Sequence, residues 1–303
     1  MLGHRTRQVA ALVAAVLVTT AAPVPAEPAA SEAARTTLSF VAHQDDDLLF
    51  MNPDILSDVQ AGHAVWVVYL TAGELPCDEG FPACGMAYAD MRVHGERAAY
   101  ARAAKVPDRW VYEAMWFNGH EVPTNRLEGT DVRLVFTFVH AAGGSDQCGD
   151  LYRLAHQPGF AARPIDGRAA YTRASFVGML RDVIHTAGPD LIRSQSSIGH
   201  RQPDPDHVDH VAGAVLAAEA DTDAAGNTLV RRDEYDGYVI RQYPDNVAGY
   251  WRDEKTAVWD RYWPHDPALG PDSWREVMGR QYSPDGRVFH PGVPWVPPGD
   301  IRC

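Results

Sequence analysis

Apolar positions along the chain fall into short runs of strand length, set between longer stretches with helical spacing. Leu38–Ala42 and Ala64–Leu70, "AVWVVYL", read as buried strands. Val111–Phe117 is a third strand, and "LIRSQ" after Pro189-Asp190 a fourth. Tyr238–Arg241 reads as a short fifth. Asn52-Pro53-Asp54 predicts a helix running to Gln60, with proline just inside its start. Met86–Ala104 is Ala-rich with helical spacing, Met91, Ala98 and Ala101 being among its apolar positions. Further helices are predicted over Ser175–His185, Val208–Ala220 and Asp253–Tyr262. Residues 118–168 are Gly-rich and read as irregular, apart from the apolar run Val132–Val139. From Trp263 on, Pro, Trp and Gly predominate.

Strands alternating with helices imply parallel crossover units. The expected class is therefore α/β, a three-layer α/β/α sandwich with a mostly parallel, Rossmann-like sheet. It is assigned to residues 37–265, with 266–303 a tail packed on the domain. In such sheets ligands gather at the carboxyl ends of the strands. Three polar segments fall at such ends: "HQDDD" after the first strand, "TAGE" after the second, and "DPDHVDH" beyond "LIRSQ".

The N-terminus changes the picture of where this domain works. Arg5 and Arg7 precede an apolar run, Val9–Val18, and Val24-Pro25-Ala26 offers a small-residue cleavage site. The run is shorter than the roughly 20 residues a membrane span needs. The expectation is a signal peptide over 1–26, a disordered lead-in over 27–36, and a secreted chain with no stable membrane insertion after cleavage. The mature chain would carry 25 basic against 40 acidic residues, a formal charge of −15. Without any basic run, that excludes nucleic acid as a partner. Only Lys105 and Lys255 are lysines, an arginine bias that suggests GC-rich coding, as in actinobacteria. Four cysteines allow three pairings. Cys77 and Cys84 bracket a Pro/Gly loop and form the best local pair, and Cys148 with Cys303 would pin the C-terminus. No C-x-x-C spacing supports a cysteine zinc site.

The polar segments suggest metal chemistry. His207 and His210 are three apart at a predicted helix start, on nearly one face. Alone, they also fit a polar helix cap with Asp206 as the capping residue. Asp45, Asp46 and Asp47 follow His43 and lie between "LSFVA" and "LLFM". A helix N-terminus accounts for one such aspartate, not three. Carboxylates drawn into an apolar setting call for a cation. A His/Asp pair plus a distant His gives three ligands and an open position, the pattern of catalytic zinc.

The motifs themselves carry a resemblance. "AHQDDD" resembles the A-H-P-D-D-E motif of the PIG-L/LmbE-like zinc N-deacetylases, and "HVDH" their H-x-D-H motif. "TAGE" is similar to their T-x-G-E loop and "ERAAYARAAKV" to the helix that follows; the likeness spans about residues 38–265. It implies Zn2+ held by His43, Asp46 and His210, with Asp45 as general base and His207 assisting the tetrahedral intermediate; if protonated, His207 can stabilise the oxyanion and help the amine leave. Another divalent ion such as Fe2+ suits the same ligands. The implied reaction is removal of an N-acetyl group from a GlcNAc-type amino sugar or glycoconjugate. Gln44 stands where the family has proline, and Asp47 where it has glutamate. Arg92 falls where relatives place a substrate-binding arginine, and Asn118-Gly119 where they carry Asp-Gly. Two alternatives are a zinc amidase acting on a non-sugar amide and a non-catalytic carbohydrate binder with a degenerate metal site. A binder needs neither Asp45 nor His207. His94, His120, His140 and His156 lack ligand spacing and read as ordinary polar positions. "DTDAAGN" from Asp221 reads as a turn.

Overall fold

Strand formation follows the two-residue period even where both faces are buried. In Ala64–Tyr69, Val65, Val67 and Tyr69 enter one apolar core, while Trp66 and Val68 enter a second. A computed structural model describes residues 35–77, 80, 83–200, 206–224 and 230–283, with the backbone alone at 199–200, 223 and 295–296. The leader, most of the lead-in and the end of the tail, including Cys303, lie outside the described residues.

The elements in order are β1 (Thr36–Val41), α1 (Asp54–Ala61), β2 (Ala64–Tyr69) and α2 (Gly85–Ala104). β3 (Trp110–Phe117), β4 (His120–Leu127), β5 (Val132–Phe136) and α3 (Gly149–His156) follow. Then come β6 (Ala161–Ala162), β7 (Tyr171–Thr172), α4 (Arg173–Ala187), β8 (Leu191–Gln195) and β9 (Gly199–His200). α5 (Val208–Ala224), β10 (Arg231–Tyr235), α6 (Gly249–Tyr262) and β11 (Trp295–Val296) complete the chain. The main sheet has the order β10-β8-β1-β2-β5-β4-β3. β10, β8, β1, β2 and β5 run parallel, and β4 pairs antiparallel with both β5 and β3. One core lies under α1, α2 and α6, the other under α3, α4 and α5. This is the expected three-layer sandwich, with a mixed edge.

Two readings of the sequence are corrected. Residues 118–168 are not irregular: they hold β4 and α3 as well as β5. Pro123 hid β4, but β5 pairs with β4 only from Thr124 onward, so the proline sits where that ladder has ended. Tyr238–Gln242 is a tight helical turn, not a strand, and the strand is "RRDEY" before it. As an edge strand with one neighbour, β10 keeps polar residues; Arg232, for example, pairs with Asp221. Asp221 itself belongs to α5 rather than to a turn. Among the described residues no helix is long and apolar enough to cross a membrane. Cys77 and Cys84 are joined by a disulfide.

The chain moves outward from β1 through β2 to β5, then returns to lay β8 and β10 on β1's other side. The strand order therefore reverses between β1 and β8, which is where ligands enter such sheets. α2 and α6 meet closely beneath this point. A Cβ on Gly95 would lie 2.8 Å from Tyr262 Cδ2 and 3.1 Å from its backbone oxygen. Gly95→Ala is expected to destabilise by about 1–3 kcal/mol through overpacking. The measurement is the denaturation midpoint, and an unchanged midpoint would show that the helices separate freely.

Candidate metal centre

β1 ends at Val41 and the chain turns. Ala42 N–H donates to Gln195 Oε1 at 2.9 Å, tying the ends of β1 and β8 together. Asp46 Oδ2 accepts the His43 N–H at 2.7 Å and closes the turn. Within it Asp45 takes φ 113°, a region that residues with a side chain rarely adopt. Asp47–Met51 form a wide helical turn, fully buried.

The three consecutive carboxylates part in three directions. Asp45 Oδ1 pairs with Arg92 Nη2 at 2.6 Å. Asp47 turns inward and accepts from Tyr69 and Tyr100 hydroxyls at 3.1 and 2.6 Å. Burial pushes its carboxyl up to about 6, against those hydrogen bonds. Asp46 faces the imidazoles: Oδ2 is 3.1 Å from His43 Nδ1, and Oδ1 is 3.1 Å from His210 Nε2.

α5 supplies the other half. His207 precedes its first turn and His210 lies within it. The coordinating atoms of His43, His207 and His210 all lie within 4.8 Å of one another. Two carboxylates, Asp206, read from the sequence only as a helix cap, and Asp209, the acid of "HVDH", hold the far side of the rings. Asp206 Oδ1 is 2.7 Å from His210 Nδ1. Asp209 Oδ2 is 3.2 Å from His43 Nε2 and also accepts the Ala142 N–H at 2.7 Å. Carboxylates placed behind imidazoles in this way fix ring orientation in metal sites. The i,i+4 spacing of Asp206 and His210 was the available signal for the first; the acid of "HVDH" was the signal for Asp209, although the ring it touches lies 166 positions away.

The buried carboxylates favour positive charge within the cluster. Burial alone would strip His43 of its proton, but Asp46 and Asp209 outweigh it and raise the ring to about 9. Burial likewise opposes charge on His210, yet Asp46 and Asp206 raise it well above the usual imidazole range. Asp46 stays well below the carboxylate range, with the two rings overcoming burial. His210 Nε2 is buried and, although Asp46 Oδ1 is 3.1 Å away, makes no hydrogen bond. An orphaned nitrogen facing a carboxylate, with a second imidazole opposite, is a donor set that fits a divalent ion.

His207 differs from the other two rings. Burial, then repulsion from His43, lowers it to about 4, the opposite direction to the other two. Its Nδ1 accepts the Asp209 N–H at 3.2 Å, which leaves the ring proton on Nε2. Burial pushes Asp45 up to about 7 against the pull of Arg92.

Of the two residues read as substrate contacts, Arg92 reaches the cluster but is only 8 % exposed and engaged by protein atoms. Asn118 does not reach it. It sits in the β3–β4 hairpin, where its N–H donates to Asp182 Oδ2 at 2.7 Å and its side chain to Ser175 O at 3.1 Å, both on α4. Four strand spacings separate β3 from β1, roughly 19 Å. His140, read as an ordinary position, pairs with Glu74 of the "TAGE" loop at the same rim. Tyr238 and Trp274 form an aromatic wall beside His210, with ring centroids 5.1 and 5.5 Å apart along the chain His210–Tyr238–Trp274.

A doubly wound α/β domain with a buried histidine–carboxylate cluster at its switch point defines a metal-dependent hydrolase class. The chain belongs to the PIG-L family, described as GlcNAc-PI de-N-acetylase, which matches residues 38–220. The expectation of a metal-dependent N-deacetylase holds at that level. No curated protein matches the chain. Among solved structures it is similar to a triple mutant of a deacetylase in the teicoplanin biosynthetic pathway, at 15 % identity over 80 % of this chain and 87 % of that one, TM-score 0.48. It is also similar to N,N'-diacetylchitobiose deacetylase from Pyrococcus horikoshii, at 16 % over 80 % and 73 %, TM-score 0.46. A hydratase, GalB from Pseudomonas putida KT2440, matches at 16 % over 80 % and 82 %, TM-score 0.45. At such scores these likenesses add nothing to what the sheet and the family match establish.

Proposed function

We propose that this chain is an exported hydrolase that removes an N-acetyl group from a GlcNAc-type amino sugar or glycoconjugate. The observation carrying the reading is Asp46 set between His43 and His210, with Asp45 beside it. His43, Asp46 and His210 would hold the divalent ion. When bound there, it supplies Lewis acidity to the amide carbonyl and to the attacking water. Asp45 has one oxygen on Arg92, and its other oxygen takes the water's proton. His207, whose Nδ1 accepts the Asp209 N–H and whose Nε2 therefore carries a proton, donates to the developing oxyanion. Asp45 then returns the proton to the departing amine.

The leader supports export, and the carboxylates of Asp45, Asp46, Asp206 and Asp209 gathered at the site disfavour an anionic substrate. The test is acetate release from N-acetylated chito-oligosaccharides, peptidoglycan fragments and glycolipids, with and without a chelator. Release is expected from at least one of these, lost on chelation and restored by Zn2+ or Fe2+. Release that persists in chelator would remove the metal from the reading.

A further inference from the structure

We propose that Arg92 is a positioning residue for Asp45, braced by Tyr262 and Asp266, rather than a substrate contact. The inference rests on the reading of Asp45 as the base.

Asp45 is held where its backbone does not rest by itself. Its φ of 113° carries a strain of about 1–3 kcal/mol, which persists only where surrounding contacts over-determine it. Three such contacts come from two residues, Arg92 and Tyr262. Arg92 Nη2 pairs with Asp45 Oδ1 at 2.6 Å and donates to the carbonyl of Gln44, the peptide that enters the strained residue. Tyr262 Oη donates to the same carbonyl at 2.8 Å. One guanidinium thus grips both the side chain of Asp45 and the backbone in front of it.

The guanidinium is itself fixed. Nη1 donates to Gly73 O at 2.8 Å, and Nε donates to Tyr262 Oη at 2.7 Å, with Asp266 Oδ2 at 3.2 Å. Tyr88 Oη donates to the other oxygen of Asp266. Gly73 has φ 56°, and a Cβ there would fall 2.6 Å from Arg92 Nη1, so the close approach requires glycine. Each nitrogen of Arg92 is engaged by protein, and the residue is buried. A substrate would have to displace one of these partners to reach it.

Tyr262 and Asp266 lie beyond residue 220, where the family match ends. The brace is therefore built by the end of α6 and the turn after it, seated on α2 at Gly95. Aligning a base carboxylate is sensitive work: a displacement near 1 Å can lower a rate by about 10²-fold.

The test is a double-mutant cycle on whichever N-acetylated sugar the unmutated chain hydrolyses. Arg92→Lys keeps the charge and removes the fork; it is expected to lower kcat by about 10²-fold while KM and metal content stay unchanged. In an Asp45→Ala background the same substitution is expected to cause no further loss of the residual rate. Asp266→Asn leaves Arg92 and Asp45 in place and serves should Arg92→Lys fold poorly. It is expected to lower kcat alone, and again to be silent when Asp45 is absent. A raised KM, or losses that add in the Asp45→Ala background, would overturn the positioning role and make Arg92 a substrate contact. An unmutated chain that hydrolyses none of the sugars would instead remove the deacetylase reading, and the positioning role with it.

Discussion

Asp45→Ala is expected to bind the divalent ion as the parent does and to hydrolyse N-acetyl substrate about 10²–10⁴-fold more slowly. The two halves of this result have separate causes. Asp46 lies between His43 and His210, whereas Asp45 pairs through one oxygen with Arg92 and leaves the other for the water. Removing Asp45 takes no donor from the cluster. What it removes is the acceptor for the water's proton, and no neighbour replaces it: Asp46 lies between two rings and Asp47 is buried beneath tyrosine hydroxyls. The truncation also relieves little of the φ 113° strain, since alanine is no better suited to it than aspartate. Losing the partner of the buried Arg92 is expected to lower the thermal midpoint, with Asp266 still balancing part of the charge, so kcat is compared well below both midpoints. Metal content by elemental analysis and kcat on the same preparation check both halves. Equal kcat would end the general-base assignment; loss of the ion along with the rate would place Asp45 among the ligands.

The cluster was legible in the sequence because it is local twice over. His43, Asp45 and Asp46 share one turn, His207 and His210 share one helix start, and each motif is readable by itself. That they meet follows from the alternation of strands and helices, which puts both at the same rim. The contacts of the shell behind them were not legible. Asp209 touches His43, and Asp266 touches Arg92, across separations that no spacing encodes. The region after residue 220 was read as a short strand, a helix and a tail packed on the domain, with no part in the site, yet it places Tyr238, Tyr262, Asp266 and Trp274 around it. Its Pro- and Trp-rich composition says nothing of direction. At the sheet's edge the reading failed for a different reason: β10 is polar because one flank is open, and β4 carries a proline where its ladder has ended. The apolar runs of β1, β2, β3 and β8 were readable, whereas β4 and β10 are mostly polar and carry no such run.

His210→Ala is expected to lose the ion and the activity together, and to lose stability as well. The ring is fully buried, with Nε2 toward Asp46 and Nδ1 held by Asp206 at 2.7 Å. Alanine leaves two buried carboxylates facing an empty space, and stranding one partner of a buried charged pair destabilises by about 3–5 kcal/mol. Some of that is recovered if Asp46 or Asp206 takes up a proton, and a protonated Asp46 is a poor ligand, so the relaxation itself works against metal binding. Asp206→Asn separates the two effects. It keeps the ring and its shape, replaces the carboxylate behind it by an amide, and is expected to weaken metal affinity by about 10–100-fold without abolishing it. Competition against a chelator of known affinity measures both variants on one scale, and denaturation midpoints taken with and without added Zn2+ report the coupling to folding. The parent and Asp206→Asn should gain stability from the ion, the variant only at higher concentration, while His210→Ala should gain none. An alanine variant stabilised by Zn2+ to the same degree as the parent would show that the ion sits elsewhere, and that the imidazoles of α5 hold no metal.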